Sequence, residues 1–432
     1  MAERTMMGHS LLLERPPRSW TPASFGDICS RVQDPASPSA DGSRLYLGLE
    51  HLASGLPSLV GRGTESDVHS SKTTFRSGDV LFGKLRPYLR KSVLVNEDGI
   101  CSTDILVFRA TERCIPEFLC MLTHTDEFVG HAKATTSGVQ HPRTSWASLR
   151  EFKITIPPLD EQRKIAAVLG VVQRAIEQQE RLFQLTAELK KALLHQLFTQ
   201  GLRGEPQKQT EIGLVPESWG VVELANLFEI KHGFAFEGEF FASDGSYILL
   251  TPGHFFEEGG FRDQKDKTKF YTGDFPRSYL LEKGDLLVAM TEQKAGLLGS
   301  SIVIPESDKF LHNQRLGLIH RLHDSRLNKL FLYYFFNTAD VRKHIAMTAS
   351  GSKVRHTSPG KIRELKIALP SLDEQRQIVG VFQVADIKVE LLRRKYAALT
   401  TLFRTLLHHL MTAQLRVKDF EIQNMEEFVR HA

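Results

Sequence analysis

The sequence predicts a mixed α/β chain with a pseudo-twofold internal repeat: two structurally similar globular domains and two long helices suited to pack antiparallel as a coiled coil. Three observations lead there. Sliding the chain until Ser137 falls on Ser350 lays Ser137 to Ile165 over Ser350 to Ile378, with about half of the aligned positions identical, among them Ser, Gly, Thr, Arg and the Leu-Asp-Glu-Gln-Arg run. Self-similarity at a fixed offset decides architecture before any single motif does. After Pro157-Pro158 and after Pro370 both copies change from a period of two to a helical period, without proline for about forty residues. The stretches ahead of these regions, Phe25 to Pro116 and Leu224 to Asn328, barely resemble each other. Two similar frames thus carry two different interiors.

The repeat is wider than its best-matching segment. Phe118-Leu119 falls over Phe331-Leu332 and His195 over His408, while Ser19-Trp20 echoes Ser218-Trp219 at a different spacing. The expected division is a first globular domain at residues 1–157, a long helix at 158–204, a second globular domain at 205–370, a second long helix at 371–415 and a tail at 416–432. Inside the domains, Asp79 to Phe82, Ser92 to Val95, Ile105 to Phe108, Leu286 to Met290, Ser301 to Ile304 and Leu316 to His320 read as strands between Gly, Pro and Asp turn signals. Gly78-Asp79-Val80-Leu81 and Gly284-Asp285-Leu286-Leu287 enter their strands alike. Ser371-Leu372-Asp373-Glu374 fits a capping box at the start of the second long helix. Pro158 stands in place of that serine in the first copy and leaves capping to Asp160 or water.

Steps of four and three from Ile378 reach Phe382, Ala385, Val389, Leu392, Tyr396, Leu399, Phe403, Leu406 and Leu410, all apolar or aromatic. The same steps from Ile165 reach Leu169, Val172, Ile176, Gln179, Phe183, Thr186, Lys190, Leu193 and Leu197, interrupted by three polar residues. A 3.5-residue repeat is a coiled-coil seam that needs a partner helix. Each rod would be roughly 60 Å long at 1.5 Å per residue. The chain supplies two such helices, and antiparallel packing satisfies both; the competing arrangement buries each stripe on its own domain.

Composition narrows the classes. Hydrophobic residues make up 41% and charged residues 25% of the 432, within the globular range. The apolar run Leu11 to Leu13 is too brief for a secretory segment, and Ile165 to Val172 is far too short to span a membrane. A chain located in the cytoplasm is expected. Cys29, Cys101, Cys114 and Cys120 form no C-x-x-C pair, which predicts buried thiols and no metal site. The net charge of +4 is too mild to imply nucleic-acid binding by itself.

The run Gly78 to Lys91, containing Lys84-Leu85-Arg86-Pro87-Tyr88-Leu89-Arg90-Lys91, resembles the specificity subunits of Type I restriction-modification systems, as do Pro157-Pro158-Leu159-Asp160-Glu161-Gln162-Arg163-Lys164-Ile165 and its copy Pro370 to Ile378. Thr186-Ala187-Glu188-Leu189 is similar to a spacer tetrapeptide of some members. The resemblance spans nearly the whole chain. It implies that each globular domain is a target recognition domain for one half of a split duplex DNA site, with the helices setting the gap. The resemblance also implies two methyltransferase subunits and a restriction and motor subunit as partners. S-adenosylmethionine, ATP and Mg are then expected on those partners and no cofactor on this chain, which does no chemistry itself.

Candidate DNA contacts follow from side-chain chemistry. Lys84, Arg86, Arg90 and Lys91 surround Tyr88 and suit phosphate contact. Lys294, Asn313, Gln314 and Arg315 are the candidates of the second domain, since Asn and Gln can read adenine and Arg can read guanine. Ser137 and Arg143, with Lys353 and Arg355 in the other copy, flank a repeated Ser-Gly turn before each long helix, near Thr144 and Thr357. Ile165, Leu169, Ile176, Phe183 and Leu193 are expected to face Ile378, Phe382, Val389, Tyr396, Phe403 and Leu410 along the seam. Alternatives are a coiled-coil adaptor that binds only protein, a subunit of a related Type II-like enzyme with a bipartite site, and a dispersed metal-nuclease site built on Asp79, Asp285 and Glu292. No phosphate loop, H-E-x-x-H helix or N-P-P-[YF] segment is present.

Overall fold

The structure, a computed structural model, describes residues 10–13, 16–293 and 295–417. It divides into two units, one ending at Phe183 and resuming at Leu391, the other Gln184–Glu390. The division cuts both long helices, Leu159–Gln200 and Leu372–Met411, near their middles. The sequence assigns each helix a segment of its own. In the structure each half-helix is part of a domain core instead, because burial is concentrated at the helix ends. No residue from Glu180 to Leu193, or from Gln383 to Leu391, is buried.

In the first unit the six-residue strand Ile105–Ala110 is central to a four-stranded antiparallel sheet, flanked by Cys29–Val32 on one side and by Val80–Gly83 and then Ser92–Leu94 on the other. A second sheet joins Pro35–Ala36, Lys72–Phe75, Gly99–Cys101, Leu45–Leu47 and Gly63–Thr64. Short helices Pro116–Leu122 and Asp126–Ala134 cover the first sheet. Phe25, Phe82, Phe108, Phe128 and Phe152 fill the space between, all with no exposed surface. The strand Thr21–Ser24 pairs with Lys153–Ile156 and so returns the chain to the start of the long helix.

The second unit repeats that frame. Leu316–His320 is central to a sheet with Glu229–His232, Leu286–Ala289 and Ser301–Val303 in the same order, and Gly220–Glu223 pairs with Lys366–Leu369. The six expected strands therefore supply six of the eight in the two main sheets. The minor sheets differ: Phe241–Ala242, Phe270–Tyr271, Tyr247–Leu249 and Phe310–Leu311 replace the five strands of the first unit. Strand entry is the same in both units, where Asp79 accepts the Arg76 amide at 2.8 Å and Asp285 the Glu282 amide at 2.9 Å.

The repeated Leu-Asp-Glu-Gln-Arg segment has a structural function in each unit. Gln162 accepts the Ile115 amide and donates to the carbonyls of Arg113 and Pro157; Gln375 does the same with Asn328, Arg326 and Pro370. Glu161 accepts the Trp20 indole N–H at 3.0 Å, and Glu374 the Trp219 indole at 3.3 Å. The tryptophan echo is thereby explained. An arginine beyond each long helix meets the opposite glutamate, Arg416 with Glu161 at 2.9 Å and Arg203 with Glu374 at 3.9 Å. The capping box is consequently only half formed. Ser371 accepts the Glu374 amide, but the Glu374 carboxylate is held by Trp219 and the Leu202 amide and does not return to the cap. In the first copy Asp160 pairs with Arg163, and the Pro158 carbonyl takes the amides of Glu161 and Gln162.

Within the first unit, Ile165, Leu169 and Ile176 share a core with Leu399, Phe403 and Leu410 and with Trp20, Phe118 and Leu122. Within the second, Leu194 and Leu197 join Ile378 and Phe382 beside Trp219 and Phe331. Phe198 stacks on Phe382 at 6.2 Å. The halves thus pair antiparallel inside each unit, and each stripe is shared between the partner helix and the domain. Phe183, Leu193, Val389 and Tyr396 are half-buried. The polar seam residues have partners: Gln179 donates to the Leu392 carbonyl at 3.0 Å, and Lys190 pairs with Asp386, which also accepts the Tyr334 hydroxyl at 2.7 Å. Such bonds fix register where apolar contacts alone would permit slippage.

All four cysteines are free and buried. Burial raises their thiols, with Cys101, Cys114 and Cys120 reaching about 12. Two buried histidines behave differently. His124 donates Nε2–H to the Ser92 carbonyl at 3.0 Å and His312 to that of Leu316 at 2.9 Å, leaving each Nδ1 without a partner. Burial holds both at about 4 against an ordinary 6.5. The unfolded chain therefore takes up protons between these values that the folded chain refuses, and stability falls as pH drops through that window. Each unit is expected to lose about 2 kcal/mol between about pH 7.5 and 5 from its histidine. Urea midpoints at the two pH values check this, and His124→Gln, which keeps a donor for Ser92, removes the first unit's share.

Candidate nucleic-acid interface

Three backbone segments converge at the same place in each unit. In the first, the chain leaving Val80–Gly83 meets the turn before Ile105 and the hairpin Ser137–Arg143. Lys84 donates its amide to the Asp104 carbonyl at 2.9 Å, Thr144 donates to the Lys84 carbonyl at 3.1 Å, and Arg86 donates to that of Pro142 at 2.8 Å. In the second, Met290 donates to the Arg315 carbonyl at 3.0 Å, Thr357 donates to the Met290 carbonyl at 2.9 Å, and Glu292 is paired with Arg355 across a two-residue ladder. Lys84 therefore corresponds to Met290, Arg86 to Glu292, Asp104 to Arg315 and Arg143 to His356.

Each hairpin is closed by a reciprocal pair of amide bonds, Ser137 with Arg143 and Ser350 with His356. Gly138 and Gly351 turn the chain at φ of 91° and 93°. A Cβ on Gly351 would stand 2.2 Å from the Val354 carbonyl oxygen, so this turn requires glycine. The tips project: Val139 is 99% exposed, and Lys353 is exposed in the other copy.

The structure brings Lys84, Arg86, Ser137 and Arg143 together in the first unit, and Asn313, Gln314, Arg315, Lys353 and Arg355 in the second. Arg86 and Tyr88 are exposed, and Arg86 adopts a left-handed φ of 51° ahead of the 3₁₀ turn Pro87–Leu89. Arg143 holds Asp104 through two bonds of 2.8 and 3.2 Å, and that guanidinium keeps the Asp104 carboxyl below its ordinary range. Three of the expected contact residues have inward partners. Arg90 donates to the His124 carbonyl and pairs with Asp126, and Lys91 donates to the Leu49 carbonyl. Arg355 is held by Glu292 and the Ala346 carbonyl. Lys294 lies outside the described residues.

A nuclease site on the scattered acids has no geometric basis. Asp79 is buried against Arg109 in one unit, while Asp285 and Glu292 belong to the other and serve their own turns. Among the described residues no three His, Cys, Asp or Glu side chains stand close enough to hold a metal. No helix of the described residues is long and apolar enough to cross a membrane. What the two surfaces offer is cationic and amide-bearing side chains on a rigid frame, a chemistry suited to phosphates and base edges.

Residues 64–187 and 216–401 match the family described as Type I restriction modification DNA specificity domain. The chain is 22% identical over 419 residues to the Type I restriction enzyme MjaVIII specificity subunit of Methanocaldococcus jannaschii, covering 94% of this chain and 95% of that protein. It is 29% identical over 151 residues to the Type I restriction enzyme EcoDI specificity subunit of Escherichia coli, 34% of either chain. The fold is similar to that of the S subunit of a Type I restriction-modification system from M. genitalium, with a TM-score of 0.57 at 15% identity over 92% of this chain and 98% of that one.

Proposed function

Because this chain belongs to the family of Type I restriction modification DNA specificity domains, we propose that it selects the DNA site at which partner subunits act, each unit reading one half of a bipartite duplex sequence. The observation that carries the reading is the repeated three-segment frame with unrelated side chains at equivalent positions. A protein-only adaptor has no need of two such surfaces; two different half-sites require them.

In this reading Lys84, Arg86 and Tyr88 hold the backbone of the first half-site beside Ser137 and Arg143. Asn313, Gln314 and Arg315 approach base edges of the second, and Lys353 a phosphate. The long helices set the gap. They also offer outward apolar side chains to partners: Leu185, Leu189, Val384 and Ile387 are 51%, 59%, 69% and 61% exposed. Two methyltransferase subunits carrying S-adenosylmethionine modify one adenine in each half-site, and a motor and restriction subunit using ATP and Mg joins for cleavage, all in the cytoplasm.

Sequencing methylated adenines after co-expression with the cognate methyltransferase subunit tests the reading. A single motif of two short elements with a fixed gap is expected. A contiguous motif would refute the assignment of one half-site to each unit.

A further inference from the structure

At the position where the first unit presents Arg86 to solvent, the second unit buries a carboxylate. Glu292 is 3% exposed. Its Oε2 accepts three consecutive amides, from Gly296 at 3.0 Å, Leu297 at 2.9 Å and Leu298 at 2.9 Å. Its Oε1 accepts the Arg355 guanidinium at 3.2 Å, and its backbone is paired with Arg355 as well. We propose that Glu292 is the positioning residue of the second recognition surface, locking the Ala295–Gly299 turn and the Ser350–His356 hairpin into one piece.

The turn is gripped from the opposite side too. Arg342 donates to the Leu298 carbonyl at 2.8 Å, to that of Glu257 at 2.7 Å and to that of Gly296. A buried carboxylate and a half-buried guanidinium therefore take the amides and the carbonyls of the same few residues, while Arg355 carries the constraint into the hairpin that presents Lys353. A buried carboxylate is tolerated when its lone pairs are satisfied, and then it resists displacement strongly. The first unit reaches the same end differently: Pro87 sits between Arg86 and Arg90, both at φ of 51°. The first surface adds this backbone conformation to its partly exposed Arg143–Asp104 pair, and the second is held by a pair whose carboxylate is buried. Arg355 accordingly acts through the hairpin and not as a reader of DNA.

This inference rests on the bipartite reading above. The test uses the full chain assembled with its methyltransferase subunit and measures methylation of duplexes in which one half-site at a time carries a substituted base pair. Variants are Glu292→Gln, Arg355→Gln and the two combined. Each single variant is expected to lower discrimination at the second half-site about tenfold, a size typical of one misplaced reading contact, and to leave the first half-site's discrimination unchanged. The combined variant replaces the ion pair by a neutral amide pair and recovers most of the loss. A combined loss larger than either single loss would make Arg355 a direct contact and overturn the inference. Unchanged discrimination in the variants, or equal loss at both half-sites, would overturn it as well, while parental discrimination at two half-sites leaves the bipartite reading standing. A parent with no bipartite preference removes both.

Discussion

Replacing Lys84 and Arg86 together with alanine is expected to weaken DNA binding roughly ten- to a hundredfold at about 0.1 M salt, and to flatten the dependence of log affinity on log salt by about 2. Neither side chain has a hydrogen-bond or ion-pair partner among the described residues, so their removal leaves no internal group unsatisfied. Their backbone amides, which hold the three-segment frame, are unaffected by the change. Arg86 is at a left-handed φ of 51°, where alanine and arginine are similarly strained, so folding is not expected to respond. The loss should be uniform across sequences because phosphate contacts position the duplex without reading it. Fluorescence anisotropy of labelled duplexes across a salt series gives both numbers. A parallel shift with an unchanged slope would take these two residues off the DNA backbone.

Much of this is legible in the amino-acid order alone. The offset that carries Ser137 onto Ser350 locates the two Ser-Gly hairpins, and the Gly-Asp entries locate the central strands, because these features are local and repeat with their spacing intact. Arg203 and Arg416 are related by that same offset, yet nothing local marks them as partners of Glu374 and Glu161, which lie in the other copy's helix. Their alignment with the repeat is the available signal. Charge clustering groups Arg90 and Lys91 with Lys84 and Arg86, but the two left-handed residues around Pro87 reverse the chain, so Arg90 points to His124 and Asp126. Composition counts charges and is blind to such reversals. Glu292 is equally hidden. A lone acid after a strand reads as an exposed group or a metal ligand until the three amides that face it are known.

Seven residues inserted at Thr186 of the first long helix are expected to move the preferred gap to a longer one and to lower methylation at the parental gap roughly hundredfold or more. Seven residues are two turns at 3.5 per turn, so the seam keeps its phase on both sides of the insertion. The point of insertion lies in the stretch from Glu180 to Leu193 where no side chain is buried, so neither domain core is opened. At 1.5 Å per residue the helix gains about 10 Å, which at 3.4 Å per base pair sets a ceiling of about three pairs. Only part of that is realised by a one-sided insertion, since the stretch from Asp386 to Leu392 on the second helix keeps its length between the Lys190 and Gln179 contacts. A matching heptad after Val389 brings the change to the ceiling. The size of the loss at the old gap comes from linkage. Two half-sites held together gain about a hundredfold or more over one, and that gain vanishes when geometry forbids simultaneous engagement. Three base pairs also rotate one half-site by roughly a hundred degrees about the duplex, at about ten pairs per turn. Sequencing of methylated adenines should show both half-site sequences unchanged and only their separation altered; an unaltered separation would mean that the helices do not measure the gap.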